Sequence, residues 1–309
     1  MNKLIIAGIV IILIAVGGYF YFANNYSGDP EMVRNDVSTT DTSLSPTTES
    51  QPTIGTTSQK QTVKTQTVIG KSVEGRDIVA YHYGTGGTEL LFVGGIHGGY
   101  EWNTILVAYE AMDYLKANPT VVPKNVRVTI IPVLNPDGLN KVVGTAGRFT
   151  AAQVPSTEKT VPGRFNANTV DLNRNFDCDW QAVGTWQDKK VDGGSAAFSE
   201  PESMAVKNYV ESAKPKAVVV WYSAVGGVFS SSCHNGVLPE TNTLTNTFAK
   251  ASGYRAYEEF NFYEITGDMV NWLAKSKVPA ISVLLTNHTD TEWTKNKAGI
   301  DALLGYYAK

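Results

Sequence analysis

Four short apolar runs constrain this chain most: "ELLFVGGI" at 89–96, "VRVTIIPVL" at 126–134, "KAVVVWY" at 216–222 and "VPAISVLL" at 278–285. They are rich in β-branched residues and bounded by turn residues, the pattern of strands buried on both faces of a sheet. Helical patterns lie between and around them, at 101–118, 199–214, 243–252 and 267–276. The second opens with Ser199 three positions ahead of Glu202, a capping-box spacing that predicts a helix starting there. Strands alternating with helices imply an α/β fold, a three-layer sandwich around a mixed, largely parallel central sheet. In such sheets, functional side chains gather at the carboxyl ends of the strands.

The amino-terminal part reads differently. Residues 4–23 carry no charge, and about 20 helical residues at about 1.5 Å each match a bilayer core of about 30 Å. Tyr19, Phe20, Tyr21 and Phe22 fall where an interfacial aromatic belt would sit. Lys3 precedes the run, and Asp29 and Glu31 follow it, so the expectation is a single-pass membrane anchor with the remainder outside the cytoplasm. A cleaved signal peptide is the competing reading, with small residues at 16–18, but the apolar run continues through Phe22 and favours the anchor. The stretch 24–66 turns to Ser, Thr, Gln and Pro, a composition that buries too little apolar surface to offset chain entropy, and is read as a linker. One folded domain is then expected over 67–309, as a monomer.

Of the 309 residues, 42% are hydrophobic, enough for a sizeable core. The formal charge of -3 argues against nucleic acid as a partner. Two cysteines, Cys178 and Cys233, are too few for a disulfide scaffold but can form one bridge in an oxidising compartment.

The stretch "GGIHGGYEWNT" at 94–104 leaves the first run carrying His97 and Glu101. An imidazole leaving a strand and a carboxylate entering a helix can face one point and suit Zn²⁺. The plainer reading is a tight glycine turn with Glu101 complementing a helix amino terminus. A second stretch, "VDLNRNFDCDW" at 170–180, packs Asp171, Asn173 and Arg174 into four residues, a polar density that a core strand tolerates only with partners or a ligand.

Together with "NPDG" (135–138), "FSEPES" (198–203) and "YEITGDMVNW" (263–272), these motifs resemble the zinc carboxypeptidase A/B family, particularly its bacterial branch, in the family's order from residue 70 almost to the end. The resemblance implies Zn²⁺ as cofactor and, as substrate, a peptide with a free terminal carboxylate. By position, His97 and Glu101 match two metal ligands, although three residues separate them here where the family usually has two. Asp171 matches the carboxylate that orients the ligand histidine. Asn173 and Arg174 match the pair that grips the substrate carboxylate, a task suited to arginine's planar fork. Arg164 matches the arginine that polarises the scissile carbonyl, with Arg148 as a weaker candidate. Tyr263 matches the tyrosine that closes over substrate. Val270 matches the floor of the side-chain pocket, which implies an apolar terminal residue.

Two positions depart from the family. Tyr222 stands where the third ligand, a histidine, is expected, and Leu284 where the general-base glutamate is expected. Ionising a tyrosine at pH 7 from a pKa near 10 costs about 4 kcal/mol. Leucine accepts no proton, and general-base catalysis is typically worth about 10²- to 10⁴-fold. His288, four residues past Leu284, and His234, after Cys233, are candidate replacements as base or ligand; His82 reads as a plain strand side chain. Because both cysteines follow site-bearing strands, a bridge between them would brace the site's rim.

Three readings follow. The first is a membrane-anchored, extracytoplasmic metallocarboxypeptidase-like hydrolase in which His97, Glu101 and Tyr222 hold zinc and Arg164, Tyr263 and His288 serve catalysis. The second is a pseudo-peptidase that binds peptide carboxyl ends without cleaving them. The third is a deacylase of N-acyl amino acids on the same fold.

Overall fold

The computed structural model describes residues 64–309; the expected membrane segment at 4–23 and nearly all of the linker lie outside them. Among the described residues no helix is long and apolar enough to cross a membrane.

Eight strands form one mixed sheet: β1 (Gln66–Lys71), β2 (Asp77–Tyr83), β3 (Thr88–Val93), β4 (Val126–Ile131), β7 (Ala217–Ser223), β8 (Gly227–Ser230), β9 (Ala256–Tyr257) and β10 (Ala280–Leu285). Two more, β5 (Val183–Trp186) and β6 (Lys189–Asp192), pair as a separate hairpin. The order across the sheet is β1-β2-β4-β3-β7-β10-β8-β9. The centre, from β4 through β3 and β7 to β10, is parallel, whereas β1, β2 and β8 run against their inner neighbours. The four apolar runs read from the sequence are these four central strands.

Strand alternation builds two cores, one on each face of the sheet. Leu90 and Phe92 of β3, Val219 and Trp221 of β7, and Ile281 and Val283 of β10 pack on one face. There they meet α1 (Trp102–Ala117), α4 (Pro239–Ser252) and α6 (Trp293–Tyr307). Leu91 and Val93, Val218 and Val220, and Ala280 and Leu284 pack on the other face, against α3 (Pro201–Ala213) and α5 (Met269–Lys275). A short helix, α2 (Pro136–Val143), follows β4 and is capped by Asn135, whose side chain accepts from Gly138 N. The three-layer expectation holds on this geometry.

One expectation fails. α3 begins at Pro201, not at Ser199, and its N-cap is Glu200. Proline fits the first helical turn, where its missing N–H leaves no bond unmade. Ser199 turns its hydroxyl to Glu200 instead of capping.

Candidate peptide-binding cleft

The cleft opens where β3, β7 and β10 end. β3 runs into Gly94–Gly95, and a tight turn then carries His97, Gly98 and Glu101 to the start of α1, with Glu101 as the N-cap residue. Gly98 has φ +44, and a Cβ there would lie 2.7 Å from the carbonyl oxygen of Gly163, so no other residue fits without moving that loop.

His97 and Glu101 are both buried at 3% exposure, with Nδ1 and Oε1 2.9 Å apart. Nε2 of His97 meets Oδ1 of Asp171 at 3.2 Å. Asp171 also accepts from Arg164, at 2.9 Å from Nε and 2.8 Å from Nη2. Arg164 Nη1 lies 3.7 Å from Glu101, and the guanidinium stacks 4.4 Å over the Trp186 ring. Burial alone would raise the Asp171 carboxyl; the charges of Arg164 and His97 outweigh it and hold that group far below the usual carboxylate range.

Arg174 follows on the same loop. Its Nε and Nη2 donate to Thr185 O at 2.9 and 2.7 Å, and Nη1 donates to Asn173 O at 2.6 Å. Gly267, at φ +62, approaches so closely that a Cβ would sit 2.2 Å from the Arg174 carbonyl oxygen. The Cys178–Cys233 disulfide, with a Cα separation of 6.2 Å, ties this loop to the one after β8, and Gly267 N donates to Cys178 O at 2.7 Å. The bridge therefore forms at the rim of the cleft.

The cleft holds a cavity of about 320 Å³, and His97, Glu101, Arg164, Asn173, Arg174, Tyr222, Tyr263, Val270 and His288 all reach it. That volume suits a small-molecule or peptide-end ligand. Two candidates, Arg148 and His234, lie elsewhere, as does His82. Arg148 is paired with Asp113 in an exposed bridge. His234 is paired with Asp179 at 2.8 Å beside the disulfide. His82 bridges Thr67 and Thr129. The pocket around Val270 is less apolar than expected from the sequence, because Asp268, Ser230 and Ser282 line it too.

Two side chains a metal would need stand together: Nδ1 of His97 faces Glu101 Oε1 at 2.9 Å, Oε2 of Glu101 is buried without a hydrogen-bond partner, and Asp171 holds the opposite nitrogen of the imidazole. The third donor does not fit. The hydroxyl of Tyr222 donates to Asn173 Oδ1 at 3.1 Å. Burial, then the negative charges of Asp268 and Glu101, push this phenol well above its ordinary pKa. To act as the third donor of a catalytic zinc, this phenol would have to give up both its proton and its bond to Asn173. Leu284 pairs in register with Tyr222 across β10 and β7, and both side chains line the cleft.

Several cleft residues escaped sequence reasoning. Asp268 caps α5 by accepting from Asn271 N and also takes the Asn173 amide at 2.9 Å. Trp186 and Tyr100 enclose the Arg164 guanidinium. Ser223 bonds to His288. Only the N-cap of Asp268 was legible locally.

This mixed α/β sandwich, with its buried histidine–glutamate turn and adjoining arginines, has the architecture of the carboxypeptidases. The zinc carboxypeptidase family profile matches residues 55–290, and the chain belongs to that family. It is 26% identical over 218 residues to a gamma-D-glutamyl-L-diamino acid endopeptidase 1 of Lysinibacillus sphaericus, covering 64% of this chain and 54% of the relative. It is 30% identical over 185 residues to the carboxypeptidase N catalytic chain of Rattus norvegicus, covering 55% and 37%. The chain thus spans about half or less of these relatives. Among solved structures it is similar to the murein-tripeptide amidase MpaA of Escherichia coli O157, with a TM-score of 0.55, 18% identity and coverage of 78% and 92%. It is also similar to bovine thrombin-activatable fibrinolysis inhibitor, with a TM-score of 0.60, 17% identity and coverage of 79% and 88%. These two likenesses bear on the fold alone. The family name implies Zn²⁺, and the peptidases and amidase among these relatives are hydrolases by name.

Proposed function

We propose that this chain recognises the carboxyl ends of peptides on a zinc carboxypeptidase scaffold and that its zinc-dependent hydrolysis has been lost. The observation that carries the reading is the bond from the Tyr222 hydroxyl to Asn173 Oδ1 with Leu284 in register beside it. At the two positions where the family needs a ligand and a base, the side chains are a neutral phenol and an alkyl group. The recognition apparatus is better preserved. A guanidinium has five N–H donors, and the bonds from Arg174 to backbone carbonyls use three of them. Two remain for a ligand's carboxylate, on a group already fixed in place.

The name of one bacterial relative, a gamma-D-glutamyl-L-diamino acid endopeptidase, supports a peptide that carries gamma-D-glutamyl and diamino acid residues. The disulfide supports a location outside the cytoplasm, with the segment at 4–23 as tether.

The test is calorimetric titration of the folded domain with a peptide acid and the matching amide. Charge-assisted hydrogen bonds contribute about 1.5–3 kcal/mol, so the acid is expected to bind at least about tenfold tighter. Equal affinity for the two would overturn the reading. A second reading, hydrolysis without zinc, is favoured by one contact, between Ser223 and His288.

A further inference from the structure

Ser223 ends β7 at the cleft, and its Oγ lies 2.8 Å from Nδ1 of His288. The two residues are 65 apart in sequence. Among the described residues, it is the serine of the cleft that meets an imidazole; Ser230, nearby, bonds to Thr245 instead. The loop carrying His288 is fixed. Asn287 Oδ1 accepts from Thr289 N, Thr289 Oγ1 and Asp290 N, and Asn287 O accepts from the amide of Asn103. Ser223 Oγ also donates to Asn103 Oδ1, at 3.2 Å.

On the far side of the ring, His288 Nε2 lies 3.4 Å from the Tyr100 hydroxyl, and the two rings are 4.8 Å apart. Tyr100 in turn packs against the guanidinium of Arg164, 5.7 Å from its ring centre. Burial lowers the pKa of His288, which keeps the imidazole neutral and able to accept a proton near pH 7. Hydroxyl, imidazole, orienting phenol and guanidinium thus share one cavity, the arrangement that activates a serine and stabilises an oxyanion.

We propose that Ser223 and His288 form a nucleophile–base pair giving this cleft a metal-independent acyl-transfer activity toward amides or esters. Ser223 Oγ forms the bond to the carbonyl carbon while its proton passes to His288 Nδ1, and the resulting oxyanion faces Arg164. Collapse breaks the bond from carbon to the leaving nitrogen or oxygen, which takes the proton back from His288. Water then attacks the seryl ester, again giving its proton to His288, and releases the acid with the Ser223 hydroxyl restored. The only co-reactant is water. Ser223 and His288 are the catalytic residues; Tyr100 and Asn103 position them.

The test exposes the folded protein to an alkyl fluorophosphonate, with and without a metal chelator, and maps the modified residue by mass spectrometry. A single adduct on Ser223, formed equally with chelator present, is the expected result. His288→Asn is expected to slow labelling by about 10²-fold or more, and Ser223→Ala to abolish it. No adduct on the native chain, an adduct on a different serine, or labelling that needs metal would each overturn the proposal. Because the native chain decides, a variant that fails to fold does not blunt the test. The probe has no terminal carboxylate, so this outcome is separate from the comparison of peptide acid with amide.

Discussion

The hydroxyl of Tyr222 donates to Oδ1 of Asn173 across 3.1 Å, joining the end of a central strand to the loop that carries Arg174. Met269 N donates to the same oxygen at 3.1 Å, so removing the hydroxyl does not strand the acceptor. Tyr222→Phe is therefore expected to cost about 1 kcal/mol, the net value of one hydrogen bond. Urea denaturation should show a lower midpoint with an unchanged slope. A midpoint identical to that of the native chain would argue that the contact contributes nothing.

Asp171 joins His97 and Arg164 in the interior, and its loss leaves a buried guanidinium without its main partner. Asp171→Asn is expected to destabilise by about 3–5 kcal/mol. The folded pKa lies below the unfolded value of about 3.9. The carboxylate's contribution is thus present above about pH 4 and lost as pH falls through the folded value. Stability measured from neutral to acid pH should drop more steeply for the native chain than for the variant. Parallel curves would contradict the assignment.

The Cys178–Cys233 bridge closes a separation of 55 residues. Chain entropy alone gives it about 4 kcal/mol. Reduction by a phosphine should lower stability by roughly that amount. It should also weaken peptide binding, because Cys178 lies on the Arg174 loop and its carbonyl holds Gly267. Unchanged affinity after complete reduction would show that the bridge does not brace the cleft.

The central strands were legible because β3, β4, β7 and β10 are covered on both faces and so read as unbroken apolar runs. β8 and β9, of 4 and 2 residues, carry too little period to be seen. His97 and Glu101 could be grouped beforehand because they directly follow an apolar run, and Asp171, Asn173 and Arg174 because their polar density falls in a stretch that resembles the family's motif. Pairings between distant loops left no trace in the sequence: Ser223 with His288 depends on the register of β7 with β10. Ser199 misled for a local reason, since Pro201 can take the first helical turn and moves the helix start past it.

The adjacency of Tyr222 and Leu284 in the sheet makes the loss of zinc chemistry the central claim, and it is tested most directly by restoring both positions. Hydrolysis of a carboxyl-terminal peptide bond is to be followed for the native chain and for the double variant Tyr222→His with Leu284→Glu, each with and without chelator. The expected result is zinc-dependent, chelator-sensitive turnover in the double variant and no chelator-sensitive turnover in the native chain. Chelator-sensitive turnover by the native chain at a comparable rate would contradict the account.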